Sequence, residues 1–472
     1  MATGGGLLDL VSRGKKDTFF THNPKISFFH SVYPRYPAFT QEVRLTQPRN
    51  NAEWGRWVDF EIESVGDIMK DPVLLIDLPT WLPPAQAAAN PTSIITDLSG
   101  VEFGYTQDVG VLMIEKVQFF NDQLLIHEFW GQFLEWRAGM QANSTIYGIL
   151  AGRHAPIPTA TAKAATHRQL RIYLPLLGNQ HDDDPGLPMI ALSNQRFRIR
   201  VHLKRLEDVI EASDKRIKPA PWNTDFKIQT QAGGPTTIFK TLPRSKIGGP
   251  TLTLETTQVY VPRDIQDYLR KTPLPIPFIQ NQLCKFTLED SKWFPVVNTA
   301  ATVSIPCPLD FIGAVSRLSV GVQSDADLQS GLLYNTEPPA AAAATGAAAT
   351  GAAATAYIQQ LRLNLGLRDR MNAFPVAIWR DVANYYKNSK EARAPNGNPF
   401  NVYTMAFGPA DRTSPIGTFN MSRTAEAVLY VDLAPVAADP RTNSRKAYIS
   451  VYAEAWNLFE IKDGRGVVLF AD

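Results

Sequence analysis

Cysteine is nearly absent. The 472 residues include two, Cys284 and Cys307, each inside an apolar stretch, so a disulfide framework cannot stabilise the chain and a reducing cytosol is the simpler setting. Nowhere do about 18 strongly apolar residues run together, which leaves no candidate membrane-spanning helix. The opening MATGGGLLDLVSRGKKD lacks the apolar core of a signal peptide, and a soluble, unprocessed product is expected. An excess of charge is missing too: 47 basic side chains face 45 acidic ones, for a net +2. A balance this close argues against a dedicated polyanion binder, and no direct sequence-specific nucleic-acid binding is expected.

The usual signatures of catalysis are also missing. Seven histidines lie scattered at positions 22, 30, 127, 154, 167, 181 and 202. None forms the His-x-His pair that metal-dependent cupins need to converge three or four ligands on one ion, and there is no HExxH. No GxxxxGK[ST] loop cradles a phosphate and no GxSxG elbow raises a nucleophilic serine. Asp182, Asp183 and Asp184 are consecutive acids on a proline-flanked loop, a pattern that fits a solvated tip better than a cation site. Paired carboxylates of the glycosidase kind leave no signature in a single sequence. No catalytic residue, no metal site and no cofactor is therefore expected, and the chain reads as a non-enzyme.

What is abundant is punctuation. Thirty-five prolines and thirty glycines separate short apolar runs along the whole length, the grammar of many strands joined by turns. The fold class is all-β, and the length exceeds the roughly 250–300 residues that one core supports, so two cores are expected. KISFFHSVY at 25–33 alternates as a first strand; WVDFEIE at 57–63, VLLIDLP at 73–79, VLMIEKVQFF at 111–120, RIYLPLL at 171–177 and RFRIRVHL at 196–203 follow. Helical spacing is confined to 124–138 and 376–388. In the second half, strands are expected at 251–261, 284–289, 301–307, 311–320, 357–365, 400–407, 425–433 and 447–460.

This divides the chain into an arm at 1–24, a first domain at 25–212, a linker at 213–245 and a second domain at 246–472. The halves echo one another: a polar turn (Asn121-Asp122; Asn364 with Gly366) precedes an aromatic helical piece (Trp136; Trp379), then strand, proline loop and strand. A tandem duplication would produce this, as would two unrelated β domains that share strand grammar. Residues 340–356, AAAAATGAAATGAAATA, form a low-complexity loop whose glycines oppose a stable helix.

Two further features could act on partners. Leu7, Leu8, Leu10 and Val11 followed by Arg13, Lys15 and Lys16 make an apolar segment with a basic flank, suited to docking on a partner or an anionic inner surface; an end tucked on its own domain is the alternative. Sequons place acceptor amides at Asn143 and Asn420, with Asn143 the better candidate because it falls in a loop while Asn420 falls in a patterned strand.

These runs resemble one family in order. GGLLDLVSRGKKDTFFTHNPKISFFHSVYPRYPAF at the N-terminus, VGDIMKDPVLLIDLP at 65–79, PGLPMIALSNQRFRIRV at 185–201, LRLNLGLRDRMNAFP at 361–375, NPFNVYTMAFGPADRTSPIGTFNMSR at 398–423 and AYISVYAEAWNLFEIKDGRGVVLF at 447–470 are similar to the major capsid proteins of nucleocytoplasmic large DNA viruses. The resemblance implies two tandem eight-stranded jelly-roll β-sandwiches with short loop helices. It also implies a homotrimer forming a pseudo-hexagonal capsomer, beside neighbouring capsomers, minor capsid and penton proteins and the inner viral membrane. Location in the virion capsid after assembly in the host cytoplasm follows. The Ala-Thr-Gly insert departs from the family pattern. Jelly rolls also serve as carbohydrate-binding or host-attachment proteins, and fold alone does not separate these roles.

Overall fold

The computed structural model describes residues 37–84, 95–140, 150–152, 169–180, 184–229, 236–289, 303–333, 357–375, 402–408 and 417–470, short breaks at 215, 367, 425, 434–440 and 443–444 apart, with residues 14, 15, 378 and 379. The chain divides into a unit at Met1–Phe39 and a unit at Thr40–Asp472. Among the described residues the second holds two sandwiches, each built on eight principal strands in two sheets, with short strands Phe419–Asn420 and Arg465–Val468 added to one sheet of the second.

In the first sandwich the strands are β1 (Thr40–Thr46), β2 (Trp57–Ile62), β3 (Ile68–Asp77), β4 (Ile114–Asn121), β5 (Leu124–Trp130), β6 (Gln169–Tyr173), β7 (Phe197–Leu203) and β8 (Thr251–Tyr260). They form sheets in the orders β1-β8-β3-β6 and β2-β7-β4-β5. The second sandwich comprises β9 (Leu274–Glu289), β10 (Val303–Pro308), β11 (Ala314–Ser324), β12 (Ile358–Leu365), β13 (Arg368–Pro375), β14 (Val402–Ala406), β15 (Ala427–Leu433) and β16 (Lys446–Lys462). Its sheets run β9-β16-β11-β14 and β10-β15-β12-β13, the first order with eight added to every number. Every pairing is antiparallel, so this is the double jelly roll, repeated strand for strand.

Alternation builds each core. Along β7, Phe197, Ile199, Val201 and Leu203 are buried while Arg198, Arg200 and His202 face outward. The outward side is satisfied by charge: Arg200 donates to both carboxylate oxygens of Asp59 at 2.8 and 3.0 Å and stacks over Trp57 at 4.2 Å.

Successive strands reverse direction, so alternate connections lie at the same end. At one end lie the strand termini that 47–56, 78–113, 131–168 and 204–250 join, and in the second sandwich those that 290–302, 325–357, 376–401 and 434–445 join. At the other end the chain turns through only 63–67 and 122–123, then 309–313 and 366–367, with longer crossings at 174–196 and 407–426. In both sandwiches, therefore, the longer connections join strand termini at one end.

The boundaries differ from the sequence expectation. The strand expected at 251–261 to open the second domain is β8, hydrogen-bonded between β1 and β3, with Leu252 and Leu254 in the first core. Its partners, from Asp77 opposite Thr251 to Thr40 opposite Tyr260, lie 174 to 220 residues earlier, a pairing that no local pattern encodes. The expected linker at 213–245 contains a hairpin of Asp225–Gln229 with Thr236–Lys240, and the chain instead passes between sandwiches through 261–273, carrying helix α2 (Arg263–Lys271) after α1 (Gly131–Met140). The helical reading of 124–138 is half corrected. Residues 124–130 are β5, paired with β4 through a tight turn that Asp122 enters at φ 52°, and the helix starts only at Gly131. The strand expected at 25–33, the loop at 340–356 and most of 376–388 lie outside the described residues.

Candidate assembly site: the seam between the sandwiches

A sheet with one face to water shows alternating exposure. β16 does not: Ala447, Ile449, Val451, Ala453 and Ala455 enter the second core, yet Ser450, Tyr452 and Glu454 on the opposite face are also buried. On neighbouring β11, Ser319 and Gln323 share that covered face.

The cover comes from the first sandwich. Trp130 at the end of β5, with Phe133 and Trp136 of α1, surrounds the Tyr452 ring at centroid distances of 5.8, 5.5 and 5.1 Å, Trp136 meeting it edge-on. The Tyr452 hydroxyl donates to Gln132 Oε1 at 2.9 Å, and Gln132 Nε2 donates onward to Gln323 Oε1 at 2.6 Å. Burial pushes the Tyr452 phenol well above its ordinary range, so it remains a donor at any physiological pH. Gly321 lies under the indole, where a methyl group would stand 2.6 Å from Trp136 Cη2.

Along β9 the seam is polar, with most of its polar groups paired across it, while His127 Nδ1 and Asn281 Oδ1 are buried without a hydrogen-bond partner. Gln180 places its amide against the Ile279 backbone, accepting from the N–H and donating to the carbonyl at 2.6 Å each, as a neighbouring strand would. Gln280 donates to the Ile126 carbonyl at 3.1 Å, and Asn281 stands 3.3 Å from His127 Nε2. Burial, with Arg137 adding like charge, lowers the His127 pKa to about 3, so the ring is neutral. At the short-loop end, the Asp463-Gly464 turn brings Gly466 to the first sandwich. Gly466 N donates to Gln195 Oε1 at 2.7 Å and its carbonyl accepts from Asn121 Nδ2 at 3.0 Å.

Towards the long-loop end the seam opens into a cavity of about 460 Å³. Lys204 and Lys285 line it with Glu115, Asp325 and Tyr448. Burial draws the Lys204 pKa down to about 8, against the opposing pull of Asp208 and Glu115. With both signs interleaved, the lining favours no ligand of one charge. Among the described residues no three His, Cys, Asp or Glu side chains stand close enough to hold a metal ion.

The residues singled out in the sequence fall elsewhere. Leu7, Leu8, Leu10, Val11, Arg13 and Lys16 lie outside the described residues, and Lys15 is exposed. Asn143 is also outside them. Asn420 lies in a two-residue strand paired with Ala314 and is exposed, contrary to the packed position expected for it. Of the seam, Asn121, His127 and Trp136 were singled out in the sequence, none of them for a role between sandwiches. The run YISVYAEAW, apolar or small on both faces, was the signal that β16 is covered on both sides.

Known proteins match these features. Residues 281–467 match the family described as large eukaryotic DNA virus major capsid protein, and residues 27–230 match the major capsid protein N-terminus. Capsid protein 1 of Acanthamoeba polyphaga mimivirus is 25% identical over 221 residues, 44% of this chain and 36% of that relative. The major capsid protein of Paramecium bursaria Chlorella virus 1 is 37% identical over 70 residues, 15% of this chain and 16% of that one. The matched segments thus span well under two thirds of these relatives. Among solved structures, the quasi-atomic PBCV-1 virus capsid aligns over 94% of this chain and 100% of its own, with a TM-score of 0.63 and 19% identity. The Faustovirus major capsid protein aligns over 97% and 96%, with a TM-score of 0.61 and 14% identity. Both likenesses concern the fold. With one family match in each sandwich and the double jelly roll throughout, the chain belongs to the major capsid proteins of large eukaryotic DNA viruses.

Proposed function

We propose that this chain is the repeating, non-enzymatic unit of an icosahedral virion shell, working as a homotrimer whose six sandwiches give a capsomer a pseudo-hexagonal outline. The observation that carries the reading is the identical strand order of the two sandwiches. A threefold assembly of two like wedges has six like sides, and such a block fills a hexagonal lattice with one gene product. In this reading the first sandwich extends through β8 and the second begins at β9. The long-loop end faces outward, and the short-loop end faces the inner membrane and minor capsid proteins. Fivefold vertices take a different penton protein, and assembly occurs in the host cytoplasm.

The arm, with Leu7, Leu8, Leu10, Val11, Arg13, Lys15 and Lys16, is assigned to inner-face docking. Deleting residues 1–24 should leave the oligomer intact and impair shell assembly; a chain that no longer folds would make the arm core structure instead. Asn143 and Asn420 are the candidate glycan acceptors, to be checked by peptide mass analysis of virion protein. Native mass spectrometry tests the whole reading. A particle of three 52.3 kDa chains is expected, and a monomer that binds glycans would favour an attachment protein.

A further inference from the structure

We propose that Lys204 is a modification site for small uncharged aldehydes, its amine capturing them as an imine inside the cavity that opens in the seam. The proposal is independent of how many copies of the chain assemble.

The backbone fixes where this lysine stands. Directly after β7, Lys204 N donates to the Met113 carbonyl at 2.9 Å, and the Lys204 carbonyl accepts from Gly55 N at 3.0 Å. Both main-chain groups are thus tied to connections of the first sandwich, and the side chain lines the cavity from that side. Its volume of about 460 Å³ falls among those of small-molecule sites. Part of the wall is apolar: Leu283 and Leu328 of the second sandwich and Trp130 of the first.

The other charged groups around Lys204 are mostly engaged. Tyr448 donates to Asp325 Oδ1 at 3.0 Å, Arg244 donates to Glu207 Oε1 at 3.0 Å, and the Lys285 ammonium rests over the Tyr448 ring at 4.6 Å. Among the described residues the Lys204 amine makes no hydrogen bond, ion pair or ring contact. Glu115 and Asp208 act on it from farther away, and Lys218 is the remaining charge on the wall. With no group bound to the ammonium, burial prevails and draws the pKa to about 8, Lys285 adding like charge. At pH 7.5 roughly a quarter of such amines are neutral, against about one in a thousand for an ordinary lysine.

A neutral amine is a nucleophile where an ammonium is not. Lys204 Nζ attacks the carbonyl carbon and the carbonyl π pair moves to oxygen, which takes up a proton as the nitrogen loses one. The carbinolamine then sheds its hydroxyl with the second nitrogen hydrogen as water, leaving the C=N bond. No oxidant or reductant enters. Glu115 and Asp208 line the same cavity and can carry protons between nitrogen and oxygen. Because the wall interleaves both signs, an uncharged aldehyde enters without leaving a charge unpaired, and its hydrocarbon part lies against the leucines.

Reductive trapping tests this. The folded chain is treated at pH 7.5 with propanal and cyanoborohydride, which reduces an imine to a secondary amine, and propylated lysines are located by peptide mass analysis. Lys204 should carry about tenfold more adduct than the exposed Lys271 and Lys462, since far more of its amine is neutral. Its yield should rise through a midpoint near pH 8. Unfolding in urea should erase the preference, and Lys204→Arg should abolish the adduct without moving it to Lys285. Equal labelling of all lysines in the folded chain, or Lys204 labelled only after unfolding, would overturn the proposal.

Discussion

Gly321 on β11 touches Trp136 of α1 so closely that a single added methyl group would stand 2.6 Å from the indole Cη2. The two residues belong to different sandwiches, and the contact depends on glycine having no side chain. Gly321→Ala should therefore loosen the seam by about 1–3 kcal/mol, the usual cost of overpacking. Thermal unfolding would show a lower midpoint. In a Trp136→Ala background the same substitution should cost less than half as much, because the colliding ring has gone.

Gln180 acts as a one-residue strand for β9. Replacing it with Ala leaves the Ile279 N–H and carbonyl buried without partners, at about 1–3 kcal/mol for each unsatisfied group. Hydrogen exchange at Ile279 should rise sharply while amides in β7 stay protected. Unchanged protection at Ile279 would show that the backbone finds another partner.

His127 makes the seam sensitive to acid. Its pKa falls from 6.5 to about 3 on folding, so below pH 6.5 the unfolded chain binds a proton that the folded one refuses. Stability should decline as pH drops through that window, by roughly 2 kcal/mol at pH 5, and level off below the folded value. In His127→Gln this part of the slope should vanish from denaturant unfolding measured between pH 7.5 and 4. An equal slope in both proteins would exclude His127 as its source.

Cys284 and Cys307 are both free, and burial raises both thiols, Cys307 to about 12. Thiols held protonated in this way react slowly. The unfolding midpoint should be the same with and without reductant, and alkylation of Cys307 should require unfolding.

The strands with clean alternation were legible in the sequence. β2 and β7 announce themselves because one face is apolar and the other charged, as Phe197 to Leu203 shows. β1 was not legible: TQEVRLT is an edge strand with little burial, so no core pattern marks it. Leu124 to Trp130 carried helical spacing, but the turn at Asp122 returns it along β4 as a strand. The seam was the least legible part, because Tyr452, Gln132 and Gln180 become a site only when distant strands are brought together. Family motifs supplied the fold ahead of the structure; the position of β8 required the sheet itself.

Electron microscopy of the purified protein tests the shell-block account most directly. Two-dimensional averages should show a threefold particle with six lobes, one for each sandwich, in a pseudo-hexagonal outline. Averages dominated by a single two-lobed chain, at concentrations where a stable complex would persist, would contradict it.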